Sequence, residues 1–580
     1  MSKKDSRWID RYFTRRMFTR QFLPALVSAV VLTVGDVADG LVLGNSIGFV
    51  GLAALALAMP VCRVFSVIMN SFSSGGSVRY AAQMAQGRTE EARRGFQGTV
   101  CCAALIGVLI ALLGDLCLTP LLSLLGTVPS DGALFSAAQD YLRILLPGSP
   151  VLFLNYVLYD YLKTDNKEKA ANAAFSAGNI VDIVLNIVFV LLMRMGAAGA
   201  ALATVAGQAV GMTISLLALR IRPGNLRLVK PAPDFREARI AFRVGFTSSV
   251  GFLYEIVFLL LANRLLLNIY GYAGAAALEI TLSVSYLMTN IYDAVAKSMI
   301  PVVSTYSGEK NENGTHQAMR VALRYTLAAG LLMALAADMF PGAVCSLFGA
   351  DTPGVMEICY DALRDYSIGI PLAGIGILLI NYYEARQDLR MTLMCASLRG
   401  LFPILTAILF AWLSPDNFWM LFPASEALTL AAAFIRNWRR PRKSFDQERV
   451  FRASIFSTSR DISRTTEQID AFVQQWGASP GQRYMAMAAV EEICVATMNN
   501  GFQNREDGFI QIVLVYEGQN YVLHIRDNAR SFNPLAMETD GGQPGEDINP
   551  DTAGIRMIRK KARSFSYRNY QGLNTVIICF

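Results

Sequence analysis

Histidine is almost missing from this chain: 580 residues hold two, His316 and His524. A histidine-built metal centre or acid–base cluster is therefore excluded. The nine cysteines form no C-x-x-C pair and fall mostly inside apolar runs, as Cys101, Cys102, Cys117 and Cys345 do. Neither a disulfide framework nor a cysteine zinc site is encoded. No G-x-x-x-x-G-K-[ST] loop occurs, which removes pumps that cradle ATP phosphates in that way. Charge is scarce too: charged residues are 17% of the chain, against roughly 25% in soluble domains. Hydrophobic residues are 53% and mean hydropathy is +0.37. Length alone would allow several soluble domains, but runs long enough to cross a bilayer indicate a polytopic membrane protein. The net charge of +7 does not point to nucleic acid, because Lys and Arg cluster between apolar runs, the pattern that sets membrane topology.

About twelve spans can be placed between residues 21 and 436, the first at 21–44 (QFLPALVSAVVLTVGDVADGLVLG). That span carries Asp36 and Asp39 near its middle, at i and i+3 and so on one helical face. Charge at such depth is costly and marks a functional site by default. Arg63, Arg79, Asp293 and Lys297 read as loop-end or snorkelling charges. The basic stretch 1–20 is expected to be retained, since the run behind it is too long for a signal-peptide core. Loops at 45–49, 119–131, 268–274, 349–356 and 413–417 hold no Lys or Arg, while the alternate loops are basic. Both termini are then expected on the cytoplasmic side.

The membrane part repeats. Gly87 and Gly308, Leu142-Arg143 and Leu363-Arg364, Gly148 and Gly369, Pro150 and Pro371, and Tyr161 and Tyr382 are all 221 positions apart. Two halves of six spans, 21–222 and 240–437, are expected as parallel repeats around a central cavity, joined by a linker at 223–239. Composition changes after 437. Residues 438–449 form a basic linker against the membrane surface, and 450–580 read as a soluble α/β domain. RASIFS, IQIVLVY, YVLHIRD and NTVIICF have strand character, 460–476, 482–500 and 553–564 have helical spacing, and EGQN reads as a hairpin turn. The expected fold class is all-α polytopic membrane protein with a C-terminal α/β sandwich.

Six stretches carry a family resemblance: LPALVSAVVLTVGDVADGLVLG, GGSVRYAAQMAQGRTEEARRGF, YLRILLPGSP, GNIVDIVLNIVFV, MGAAGAALATVAGQAVG and RVGFTSSVGFLYEIVFLLLANRLL. In this order and spacing, residues 20–437 resemble the MATE (multidrug and toxic compound extrusion) transporters. The resemblance implies a cation or proton site built from Asp39, Asp182, Asn186 and Thr204. Asp182 stands where the family usually has Asn and Asn186 where it has Asp, so carboxylate and amide are exchanged one turn apart. Glu255 matches an acidic position on the seventh span, which implies a second-half acidic site facing the substrate. The residues support a site on their own account: Asp182 and Asn186 share a helical face with Asn179 close by, and their oxygens suit a sodium ion or a proton. For Asn179, Asn186 and Thr204 the bland alternative is ordinary interhelical hydrogen bonding.

The tail resembles the anti-sigma-factor serine kinase branch of the GHKL ATPases through MAAVEEICVATMNNGF, HIRDNARSFNP and TAGIRMIRKKARSFSYRNYQGLNTVIICF. Its nucleotide boxes are eroded. Glu492 is followed four residues on by Ala496 where the family has Asn, with Asn499 and Asn500 one turn further. Asp527 is followed by Asn528 and Ala529 instead of x-Gly, and only Gly554 remains of a glycine pair. Asn499 or Asn500 is an alternative Mg2+ ligand and Asp527 an acceptor for an adenine amino group, which leaves weak ATP binding through Glu492, Asn500, Asp527 and Gly554 open, while kinase or ATPase activity is not expected. The expected function is secondary export of organic, cationic or amphipathic compounds against Na+ or H+ at the plasma membrane. The expected partners are a small organic substrate, the bilayer and a cytoplasmic regulatory protein at the tail, with no nucleic acid. Alternatives are a flippase for lipid-linked precursors and a membrane-anchored signalling protein acting through the tail.

Overall fold

The computed structural model describes residues 3–85, 89–165, 167–221, 226, 233–350, 352–439, 447–455, 459–502, 508–529, 550–570 and 573–580. The first half runs α1 (Lys3–Ile47), α2 (Phe49–Ala85), α3 (Thr89–Leu116), a short α4 (Leu118–Leu125), α5 (Ala133–Thr164), α6 (Glu168–Asn186) and α7 (Gly196–Ile221). The second repeats that order: α8 (Phe235–Tyr270), α9 (Tyr272–Gly308), α10 (Glu312–Met339), a short α11 (Pro341–Leu347), α12 (Pro353–Ala385), α13 (Leu389–Leu413) and α14 (Leu421–Trp438). Each half thus has six long helices with one short helix after its third, so the repeat read from spaced residues is a repeat of architecture. Among the described residues, ten of the twelve long helices are long and apolar enough to cross a membrane. α9 is not among them, since Glu279, Asp293 and Lys297 interrupt it, and α1 is only partly described.

The halves meet where small residues let helix backbones touch. A Cβ on Gly75 of α2 would lie 2.0 Å from the Ala241 carbonyl of α8, and one on Gly245 would lie 2.2 Å from the Ser71 carbonyl. Around this crossing Asn70 donates to Ser249 (3.0 Å) and Arg79 pairs with Glu237 (2.8 Å). At the opposite end of the bundle Gly44 sits against the Phe348 backbone, and Asn263 donates to the Ala56 carbonyl (2.9 Å).

The tail is a five-stranded antiparallel sheet in the order β1-β2-β3-β5-β4: β1 (Val450–Ile455), β2 (Ile510–Glu517), β3 (Asn520–Asp527), β4 (Ser564–Tyr570) and β5 (Leu573–Cys579). Three helices, α15 (Ser459–Gln475), α16 (Pro480–Ala496) and α17 (Pro550–Lys561), accompany it. The four expected strands and three helices are present. β4, between α17 and β5, is a fifth strand beyond the four strand-like runs. The β2–β3 hairpin turns at Gly518-Gln519, with Gly518 at φ +73°, where a side chain would be strained. Most of the basic linker, 440–446, lies outside the described residues.

Alternation along β3 sorts its side chains. Leu523 and Ile525 enter the core with Ile469, Val490, Ile493 and Ile578. Arg526, two residues beyond His524, faces the other way, onto the end of the helical bundle. Its guanidinium lies 3.7 Å over the Phe13 ring of α1 and pairs with Glu309, just past α9; their side chains are 2% and 1% exposed. Arg452 donates to the carbonyls of Glu309 (3.1 Å) and Lys310 (3.2 Å), Lys310 pairs with Glu517 (3.1 Å), and Tyr12 meets Phe509 edge-on at 5.6 Å. The second face of the sheet, which antiparallel sheets often leave to water, is here a docking face.

Candidate functional site

α6 and α7 approach closely because glycines line their crossing. A Cβ on Gly207 would lie 2.6 Å from the Gly178 carbonyl and 2.8 Å from the Asp182 Cβ. This contact, with the terminal part of α1, brings four of the sequence-derived residues together. Asn186 Nδ2 donates to Asp39 Oδ1 (2.7 Å) and to Asp182 Oδ1 (3.1 Å). Thr204 Oγ1 donates to Asp39 Oδ2 (3.3 Å) and also lies within hydrogen-bonding reach of Asp182. Asn186 is fully buried and its Oδ1 has no partner among the described residues. The α6 ladder widens into a π turn, Ile187–Leu192, directly after it, a distortion common at functional sites. Asn179 is half-buried and takes no part in these bonds. The side chain of Asp36 lies outside the described residues.

Gly207→Val should force α6 and α7 apart, costing about 1–3 kcal/mol as overpacking does. Gly251→Ala, where an added Cβ meets nothing within 4 Å, should leave stability unchanged or slightly higher. Melting temperatures of the detergent-solubilised protein compare the two.

Two readings are corrected at α2. Arg63 is not a loop-end charge. It lies within the helix, 2.8 Å from Glu255 Oε1 of α8, and donates to the Tyr286 hydroxyl of α9. Glu255 is therefore half of an ion pair between the halves. Arg79 likewise bridges the halves through Glu237, whereas Lys297 and Asp293 form an i,i+4 pair at 3.7 Å, with Lys297 exposed. Sequence reading also passed over Glu279 of α9 and the Arg399–Glu426 pair (2.9 Å) between α13 and α14. An acid inside the small-residue run AAALEITLSV was the available signal for Glu279.

In the tail, Asp527 is 2% exposed and its Oδ1 accepts from the Ala529 amide (2.9 Å) and Asn574 Nδ2 (2.7 Å). Burial pushes its carboxyl up to about 6, partly opposed by those two bonds. Glu492 lies against α17, where only a glycine fits: a Cβ on Gly554 would fall 2.1 Å from its carboxyl carbon. Asn500, one turn beyond Ala496, is exposed in a π turn (Thr497–Phe502), and its Nδ2 donates back to the Ala496 carbonyl (3.1 Å). His524 is buried with Nε2 unpartnered among the described residues, and burial, aided by Arg526, lowers it to about 4. The two shifts act oppositely on stability. His524 supports the fold above its ordinary value of 6.5 and that support is lost as pH falls towards 4. Asp527 supports it below 3.8 and that support is lost as pH rises through about 6. His524→Gln should remove about 3 kcal/mol of acid sensitivity, read by hydrogen exchange of β3 peptides between pH 4 and 7.

Comparison with known proteins follows this division. The MatE family model matches residues 24–188 and 245–413, and the histidine kinase-like ATPase domain model matches 456–580. Protein DETOXIFICATION 45, chloroplastic, of Arabidopsis thaliana is 22% identical over 290 residues, 49% of this chain and 50% of that protein, so the chain spans about half its length. The probable multidrug resistance protein YoeA of Bacillus subtilis is 24% identical over 342 residues, 56% of this chain and 72% of that protein. An inward-facing multidrug resistance MATE transporter of the MOP superfamily superposes with a TM-score of 0.64 at 20% identity, covering 70% of this chain and 93% of that one. At that identity the fold is what is shared.

Proposed function

The chain belongs to the MatE family, and we propose that it is a secondary active exporter whose coupling ion is taken at Asp39 and Asp182. The observation that carries this reading is the sharing of one buried amide by two carboxylates inside the bundle. Asn186 bonds to both but cannot neutralise either. A proton or a sodium ion arriving there removes a charge, and Asn186 Oδ1 and Thr204 Oγ1 are neutral oxygens available to a hard cation. Here the coupling ion is cargo. It drives transport because its affinity differs between the states open to each side, and a membrane potential adds ~2.3 kcal/mol per charge per 100 mV. The exported compounds are organic, cationic or amphipathic, in keeping with the multidrug name of a relative. The basic loops favour both termini on the cytoplasmic side of the plasma membrane, with halves at 21–222 and 240–437 and the tail at 450–580.

The docked sheet supports a regulatory part for the tail, through which a cytoplasmic protein acts on the transporter without phosphoryl transfer. Positioned magnesium is central to that chemistry, and Ala496, where the family has Asn, has no side-chain oxygen to offer it. Efflux from proteoliposomes tests the main reading. It should collapse when ionophores dissipate the sodium and proton gradients, and efflux that needs ATP and no gradient refutes it.

A further inference from the structure

Between the two halves lies a carboxylate that neither the family site nor the loop charges account for. Glu279 of α9 is 1% exposed, and its Oε2 has no hydrogen-bond partner among the described residues. It stands near the level of the acid cluster: a Cβ on Gly40, the neighbour of Asp39, would lie 3.6 Å from Oγ of Ser283, one turn along α9 from Glu279. Among the described residues, the charges acting on it are Arg63 of α2 and Asp39 of α1. The thiol of Cys62 (α2) and the hydroxyls of Tyr141 (α5) and Tyr286 (α9) are also within electrostatic reach. Arg63 is already committed to Glu255 and Tyr286.

A carboxylate held like this, with Oε2 unpartnered, an acid within electrostatic reach and the nearby arginine already paired with Glu255, is a poorly compensated buried charge, which proteins avoid. A carboxylic acid in the same place carries no such penalty. Glu279 also sits where any rearrangement of the halves must change its surroundings, since Asp39 and Arg63 belong to the first half and α9 to the second.

We propose that Glu279 is a proton-binding site of the second half, protonated in this packing and discharged when the halves move. In the discharging step the carboxyl O–H bond breaks, the proton passes to water admitted between the halves, and the carboxylate left behind pairs with Arg63 in place of Glu255. The transporter thereby gains a proton carrier separate from Asp39 and Asp182. This rests on the ion-coupled reading above, and the test separates the two.

The test uses the full-length protein in proteoliposomes, as wild type, E279Q and E279D. The infrared spectrum at neutral pH should show a protonated-carboxyl band that E279Q lacks. Efflux driven by an imposed pH gradient should fall at least tenfold in E279Q with substrate binding kept within threefold, and E279D should recover part of it with a displaced pH midpoint. If E279Q fails to fold, E279D alone decides: a shifted band and midpoint support the site, and an unmoved band and midpoint overturn it. A carboxyl band unchanged in E279Q, or an efflux pH profile identical to wild type, overturns it as well. Wild-type efflux indifferent to every ion gradient removes the coupling reading, and the infrared band still decides whether Glu279 holds a proton.

Discussion

Asp39→Asn is expected to lower gradient-driven efflux by at least about a hundredfold, equivalent to about 2.7 kcal/mol, while substrate binding changes little. Asp39 is the one acid that joins all three helices of the site, accepting from Asn186 at 2.7 Å and from Thr204 at 3.3 Å. An amide in its place keeps size and some hydrogen bonding but loses the charge that draws a cation. Asp182→Asn should be nearly as severe, since it leaves Asp39 as the only carboxylate of the cluster. The double variant Asp182→Asn with Asn186→Asp is more informative. It moves the negative charge one turn along α6 to the residue that already touches Asp39, giving the arrangement usual in the family. Part of the transport should return. Paired measurements of efflux and of substrate binding by calorimetry distinguish lost coupling from lost binding. Full uphill transport by Asp182→Asn alone would remove that residue from the mechanism.

Arg526→Ala should loosen the docked tail by about 3–5 kcal/mol, the usual effect of stripping one partner from a buried ion pair. Glu309 would be left with neither the guanidinium nor a route to water, and Phe13 would lose the cation above its ring. The same reasoning makes Glu309→Gln milder, because a neutral amide tolerates burial and still accepts a bond from Arg526. Hydrogen exchange of residues 309–320 and of β3 reads the release directly: both should exchange faster in Arg526→Ala, with the tail helices α15 and α16 unaffected. Equal protection in wild type and variant would show that the ion pair does not hold the domain. A changed efflux rate on release is what the regulatory reading requires.

The sequence revealed most where cause and effect lie close along the chain. Asp182 and Asn186 are one helical turn apart, so their joint face follows from spacing alone, and runs of apolar residues place the long helices. Pairs across great separations stayed hidden. Arg63 meets Glu255 and Tyr286, with 223 positions between Arg63 and Tyr286. Arg526 meets Glu309 across 217. Nothing at either position announces the other, so a paired arginine in mid-helix read as a surface charge, and the docking face of the sheet was not foreseen. β4 escaped for a different reason: SFSYRNY is polar on one face and short, and it follows α17 after only two residues.

α1 is a single helix from Lys3 to Ile47, and it touches the tail at Phe13 and the coupling cluster at Asp39. At 1.5 Å per residue those points are about 39 Å apart on one rod. Such a rod is a lever. Pivoting about the cluster by roughly 10° would sweep its far end through about 7 Å, more than the 3.7 Å that separates Phe13 from the Arg526 guanidinium. A small tilt that accompanies ion entry at one end is therefore large enough at the other to break or make the seat of the tail, and a tail clamped in place resists the tilt with the same leverage.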